Sequence, residues 1–227
     1  MKLLAVETST EACSAALYVD GEIREKFALA PREHTKLILP MIDELMSEAQ
    51  LLPQQLNALA FSCGPGSFTG VRIATGIVQG IAFGADLPVV PVSTLAAIAQ
   101  DFFNDNPINI SFTAMDARMG EIFWGVYQKD QQGFARLLGQ EAVTPAVKVT
   151  FPEIAGAGVG SGWAVYRAEL ANRLGSLLLT TEAEKLPRAA AIVQLGADGY
   201  VNGEAVAVEQ AMPVYLRDKV AKKESER

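Results

Sequence analysis

The segment "CGPGSFTGVR" at residues 63–72 sets three glycines and a proline between two apolar runs. Before it, Ala58–Ser62 has the length of a short buried strand; after it, apolar residues recur with helical period from about Gly70 to Gly84. A strand, a glycine turn and a helix start together present free backbone N–H groups, the arrangement that holds phosphates. No lysine follows the last glycine, so the GxxxxGK[ST] spacing of a P-loop is missing. The same glycines equally suit a tight turn that needs positive φ. Taken alone, the loop reads as a structural turn ahead of a nucleotide cradle.

The helix that follows is more telling. Gly76, Gly80 and Gly84 sit four apart and share a face with Ile73 and Ile77, while Val71, Ala74, Val78 and Ala82 take the opposite face, the natural one to lie on a sheet. Each glycine inside a helix costs about 1 kcal/mol relative to alanine, so three cost roughly 3 kcal/mol. Close approach of another helix across a side-chain-free groove would offset that cost. A helix apolar on both faces, in a chain that is 50% hydrophobic with mean hydropathy +0.19, favours a partner outside the chain over packing within it.

Outward from the loop, the chain reads as an α/β protein. Leu3–Val6 is a strand, "CSAALYVDG" its hairpin partner turning at Asp20–Gly21, and a third strand runs from Glu22 to about Ala30. Leu37, Ile38, Met41, Ile42, Leu45 and Ala49 form one helical stripe, with Pro40 expected to kink it or mark its start. A strand at Pro88–Val92 and a helix at Thr94–Phe103 follow, completing a βββαβαβα order. Ile108–Met115 and Glu121–Gln128 then read as a hairpin around "DARMG". Past Gly133 come a strand near Val159 and helices at about Val165–Leu174 and Ala189–Val201. The expected division is an N-terminal lobe, 1–106, and a smaller C-terminal lobe, 107–227.

Composition narrows the function. A net charge of −7 and a pI near 4.9 give no general attraction for nucleic acid. The tail from Leu216 to Arg227 is richer in Lys and Arg but reads as a solvated helix end. Cys13 and Cys63 have no metal-ligand spacing and fit a reducing cytoplasm. Neither a signal sequence nor a membrane span is expected. The single histidine, His34, cannot make a metal site alone, and it reads as a capping or surface residue. Asp116, Arg118 and Glu121 read as a local ion network around a turn at Gly120.

Five segments, "LAVETSTEACSAAL" (4–17), "PREHTKLILPMI" (31–42), "CGPGSFTGVRIATG" (63–76), "DARMGEIFWGVY" (116–127) and "PVYLR" (213–217), together resemble the TsaB (YeaZ) family, GPGSFTGxR being the most specific. The resemblance implies the actin-like, sugar-kinase and Hsp70-like ATPase (ASKHA) fold, with two lobes of βββαβαβα type and the second reduced. It implies participation in making threonylcarbamoyladenosine at position 37 of tRNAs that read codons beginning with A. The family member works with its paralogue TsaD, which transfers the threonylcarbamoyl group, and with the ATPase TsaE. TsaD carries an HxxxH metal motif where this chain has Thr94 and Ile98, and a hydroxyl and a butyl group cannot replace two imidazoles.

By this resemblance the chain is a non-catalytic scaffold with no catalytic residues, metal or cofactor, and Thr8, Ser9, Gly64, Gly66 and Ser67 are remnants of a phosphate loop. Leu37, Met41, Leu45, Ile73, Gly76, Ile77, Gly80 and Gly84 are the expected interface with TsaD, and with a second copy when TsaD is absent. Contact with tRNA would be indirect. The alternatives are an ATP-dependent phosphotransferase or hydrolase of the same superfamily, and a glycoprotease-like metallopeptidase, against which the missing HxxxH argues.

Overall fold

A computed structural model describes residues 1–217 of the chain. Strands β1 (Lys2–Glu7), β2 (Ala12–Val19) and β3 (Glu22–Leu29) lead into helix α1 (His34–Glu48), then β4 (Ala58–Gly64), α2 (Phe68–Ala85), β5 (Val89–Ser93) and α3 (Thr94–Asp105). A second series follows: β6 (Ile110–Arg118), β7 (Glu121–Lys129), β8 (Ala135–Leu137), β9 (Ala142–Thr144), β10 (Gly156–Val159), α4 (Gly162–Val165), α5 (Arg167–Leu174), β11 (Leu178–Glu182) and α6 (Ala189–Val201).

The first five strands form a sheet in the order β3-β2-β1-β4-β5, and the rest form one in the order β11-β10-β6-β7-β8, with β9 also pairing β7. The two orders correspond strand for strand. Each sheet has an antiparallel meander on one side of its leading strand and parallel strands on the other. Parallel neighbours need crossover connections, which is why helices appear only in that half of each series.

Period-two alternation sorts the first sheet's faces. Leu4, Val6, Leu17, Leu59 and Phe61 pack with Ile38, Ile42 and Leu45 of α1 and with Ala74, Val78 and Ala82 of α2. The other face carries Leu3, Ala5, Ala16, Ala58 and Ala60, and it packs with α3 and α6. Small residues are needed there because α6 lies almost on the strand backbone: a Cβ on Gly196 would stand 2.5 Å from the Ala60 Cβ. The same cluster takes in Met115, Tyr127 and Val159 of the second sheet, so α3 and α6 are the shared middle layer. Beyond it, Phe112, Trp124 and Trp163 fill a third cluster, with the Trp163 indole donating to the Phe112 carbonyl at 2.8 Å.

Three expectations change. α6 and the segment after it return to the first lobe, so the cut at 106/107 separates the sheets but not the packing units. The helix expected at about 165–174 is α5, and before it stands an unexpected short helix, α4, set off at Tyr166 with φ −115° and ψ 27°. β8, β9 and β11 were not expected; they are short or lack alternation, and β9 is partly exposed. Pro40 lies inside α1 with its ring in solvent, and of the basic tail only Leu216 and Arg217 fall within the described residues.

α2 is long and apolar enough, by length and composition, to cross a membrane, but Val71, Ala74, Val78 and Ala82 line the core. Its glycines divide into two kinds. A Cβ on Gly70 would lie 2.1 Å from the Thr8 carbonyl oxygen, whereas one on Gly76, Gly80 or Gly84 would meet nothing within 4 Å. Gly70→Ala should therefore cost about 3 kcal/mol through forced backbone displacement. Gly80→Ala should instead raise stability by about 1 kcal/mol in the monomer. Urea unfolding of both variants checks the contrast.

Candidate functional site

The glycine loop closes onto the β1–β2 turn. Ser67 N donates to the Ser9 carbonyl at 2.7 Å, and the Thr8 hydroxyl donates to the Gly70 carbonyl at 2.7 Å. A Cβ on Gly66 would stand 2.6 Å from the Ser9 oxygen. Gly64, at φ +115°, leaves room for the Val214 carbonyl, 2.6 Å from where its Cβ would be. These glycines serve backbone contact. Ser67 caps α2 by accepting from Gly70 N, and its own N–H is already spent on Ser9. Of the five candidate phosphate-loop residues, Thr8, Ser9 and Gly64 are buried, and Gly66 and Ser67 reach the surface.

Beneath the loop sits a residue that spacing did not single out. Glu7, the last residue of β1, is fully buried, and its Oε1 accepts from Ser9 N at 2.5 Å and from the Ser9 hydroxyl at 2.6 Å. Its Oε2 and the adjacent Ser62 hydroxyl are buried without a hydrogen-bonded partner. Burial raises the carboxyl from 4.5 to about 7, against the opposing pull of the Ser9 hydroxyl and amide. The Thr94 hydroxyl donates to Ser9 Oγ at 3.3 Å, tying this group to the start of α3.

Next to Thr94 the two lobes meet through a second, half-buried carboxyl. Glu141, between β8 and β9, accepts from the hydroxyls of Ser93 and Tyr127, and Ser93 also caps α3 by accepting from Leu95 N and Ala96 N. Burial raises Glu141, and burial together with the Glu141 charge pushes the Tyr127 phenol well above its usual value. Burial also pushes the nearby Cys63 thiol up to about 12, leaving it an inert thiol. Thr94 and Ile98, on the first turns of α3, are buried. Among the described residues no group of three or more His, Cys, Asp or Glu side chains converges as a metal site would require. Two open depressions beside α5, of about 510 and 730 Å³, include no residue of the glycine loop or the β1–β2 turn.

His34 is not the surface or capping residue expected. It is buried, and its Nε2 donates to the Thr10 and Ala12 carbonyls at 2.8 and 3.1 Å, fixing α1 to the β1–β2 turn. The Asp116–Arg118 pair is local, at 3.3 Å, but Glu121 pairs with Arg217 at 2.6 Å.

The remaining candidates lie on the flank made by α1 and α2. Gly76, Gly80 and Gly84 are exposed, and Leu37, Met41, Ile73 and Ile77 are half-buried beside them. Leu45 is a correction: at 1% exposure it belongs to the core, because its position on the stripe faces the sheet with Ile38 and Ile42. The flank also shows residues the stripe analysis passed over. Phe83 is 80% exposed and Phe68 59%, one at each end of α2.

Two sheets of like order, with α3 and α6 packed between them, give the two-lobed α/β architecture expected of the actin-like, sugar-kinase and Hsp70-like ATPase class. The sequence family described as "TsaD: tRNA N6-adenosine threonylcarbamoyltransferase" matches residues 28–225. The "tRNA threonylcarbamoyladenosine biosynthesis protein TsaB" of Escherichia coli K12 is 42% identical over 225 residues, covering 97% of this chain and 96% of that protein. The Haemophilus influenzae protein of the same name is 39% identical, covering 97% and 95%. The solved structure titled "YeaZ from Pseudomonas aeruginosa" superposes with a TM-score of 0.88 at 42% identity, covering 95% of this chain and 99% of that one. The chain belongs to the TsaB (YeaZ) family.

Glu7 gives a pH test. Its folded value lies above its unfolded one, so between pH 4.5 and about 7 the folded chain holds a proton that the unfolded chain has released. Stability from this group is therefore present at low pH and lost as pH rises through that window. Glu7→Gln keeps an acceptor for both Ser9 bonds and cannot ionise. Its stability relative to wild type should grow by about 3 kcal/mol between pH 4.5 and pH 8. Denaturant melts across that range measure the difference; a flat difference would show that Glu7 does not titrate there.

Proposed function

We propose that this chain acts in the biosynthesis of tRNA threonylcarbamoyladenosine as a non-catalytic cytoplasmic subunit that docks on the transferase TsaD, with TsaE joining the pair. The observation that carries the docking step is the open flank of α2. Three solvent-facing glycines four residues apart, with Phe68 and Phe83 beside them, are poorly explained by the monomer. Together the glycines cost the isolated helix roughly 3 kcal/mol, and a second helix lying in the groove recovers it through close contact. TsaD is the fitting occupant because it is the paralogue on which this family's chemistry depends, and a second copy of this chain fits the same groove when TsaD is absent. Leu37, Met41, Ile73, Gly76, Ile77, Gly80 and Gly84 carry the contact.

The enzymatic alternative, an ATP-using phosphotransferase or hydrolase, is less well supported. The N–H that would begin an anion cradle, on Ser67, is bonded to Ser9, and Thr8 and Ser9 are buried. Sub-millimolar, magnesium-dependent ATP binding by the isolated chain in calorimetry would favour it. Omitting each component in turn from a mixture of this chain, TsaD, TsaE, threonylcarbamoyl-AMP and substrate tRNA tests the leading reading, which expects modification to fail without this chain and this chain alone to modify nothing.

Gly80→Leu separates docking from folding. Open space around Gly80 accommodates the new side chain in the monomer, so the variant should melt as wild type or higher. Its affinity for TsaD and its self-association should both fall by about two orders of magnitude or more, since overpacking a helix contact costs ~3 kcal/mol. A variant that still elutes as a dimer with unchanged TsaD affinity would place the contact elsewhere.

A further inference from the structure

Residues 211–217 cross from the first lobe to the second. Ala211 is buried against α2, and its carbonyl accepts from Gln79 Nε2 at 2.8 Å. Val214 N donates to the Cys63 carbonyl at 2.7 Å, where the bare Gly64 admits the Val214 oxygen. The Tyr215 ring lies 6.0 Å from the Phe68 ring, and the Arg72 guanidinium sits 3.4 Å above Phe68 and 5.5 Å from Tyr215. Two residues on, Arg217 reaches the β6–β7 turn. Its Nη1 donates to the Ala117 carbonyl at 3.0 Å, and its Nη2 donates to the Glu121 carboxylate at 2.6 Å.

The points joined are the carboxyl ends of β4 and β6, the leading side of each sheet's parallel half, where open α/β sheets present their crevices. The turn that Arg217 holds is a costly one. Arg118 and Met119 both have positive φ, 63° and 58°, without being glycine, and such backbone persists only where neighbours over-determine it. The planar guanidinium suits that task because it serves a carbonyl and a carboxylate at once, and its side chain is only 19% exposed. At the other end, the Phe68–Arg72–Tyr215 stack fastens the segment to the first turns of α2.

We propose that residues 211–217 form a clasp that couples the outer end of α2 to closure of the two lobes. Loosening the stack on α2 frees Arg217 and with it the β6–β7 turn of the other lobe; loosening Arg217 frees the glycine loop. Phe68 and Arg72 also border the flank assigned to docking, so docking and lobe closure become linked equilibria with reciprocal effects. This last link alone rests on the docking reading.

Amide hydrogen exchange of the full chain, read by mass spectrometry, tests the clasp without any partner. Arg72→Ala changes a residue on α2, yet it should speed exchange in peptides spanning 116–122 of the second lobe about fivefold, with α5 and α6 unchanged. Tyr215→Ala should give the same pattern. Arg217→Ala should speed exchange at 60–68 about fivefold, with Arg217→Lys intermediate. Wild-type rates at 116–122 in both Arg72→Ala and Tyr215→Ala would overturn the coupling, as would an Arg217→Ala effect confined to 116–122. Should Arg217→Ala loosen α6 as well, the two exposed-side variants decide. If the clasp responds as described but Arg217→Ala leaves TsaD affinity unchanged, the link to docking fails while the clasp stands. Absence of any TsaD binding by the wild-type chain would instead overturn the docking reading.

Discussion

The contact between the glycine loop and the β1–β2 turn has no slack. With the Thr8 oxygen 2.1 Å from where a Gly70 Cβ would be, and the Ser9 oxygen 2.6 Å from that of Gly66, only bare backbone fits. The contact sets where α2 starts, because Ser67 must both reach Ser9 with its amide and cap the helix with its hydroxyl. It also seals Glu7 beneath it. A loop of this shape elsewhere would hold a phosphate with its amides. Here the amide of Ser67 and the hydroxyl of Thr8 hold the protein to itself, and the loop's product is a correctly placed helix.

Much of this was legible in the sequence, for identifiable reasons. The first lobe's elements have strong local signals: short apolar runs in β1 and β4, the three-and-four spacing of α1, and glycine punctuation around α2. The open glycine face was visible because 76, 80 and 84 share a helical azimuth opposite Val71, Ala74 and Val78. Leu45 was misplaced because a stripe shows which residues are apolar, not which side of it meets the sheet. β8, β9 and β11 escaped because three-residue and half-exposed strands have too few alternating positions to signal.

The buried polar groups were harder still. Ser93, Tyr127 and Glu141 lie on three separated elements, and Glu7 meets Ser62 across neighbouring strands. No spacing rule connects them; the closing of one lobe on the other brings Ser93 to Tyr127 and Glu141, and the parallel pairing of β1 with β4 brings Glu7 beside Ser62. His34 shows the same limit. Alone in sequence it looked like a surface residue, yet the chain reversal at Thr10–Ala12 places two carbonyls where its Nε2 can serve both. Arg217 likewise acquired its role from a hairpin a hundred residues earlier.

The alanine face of the first sheet has a consequence for how the molecule is made. Leu3, Ala5, Ala58 and Ala60 emerge early in synthesis, but their cover, α6, spans Ala189–Val201. An N-terminal lobe on the ribosome therefore has only α3 on that face until translation passes residue 201, with pairings of high sequence separation left to close last. Its most adhesive surface during that interval is the one that the finished protein hides completely.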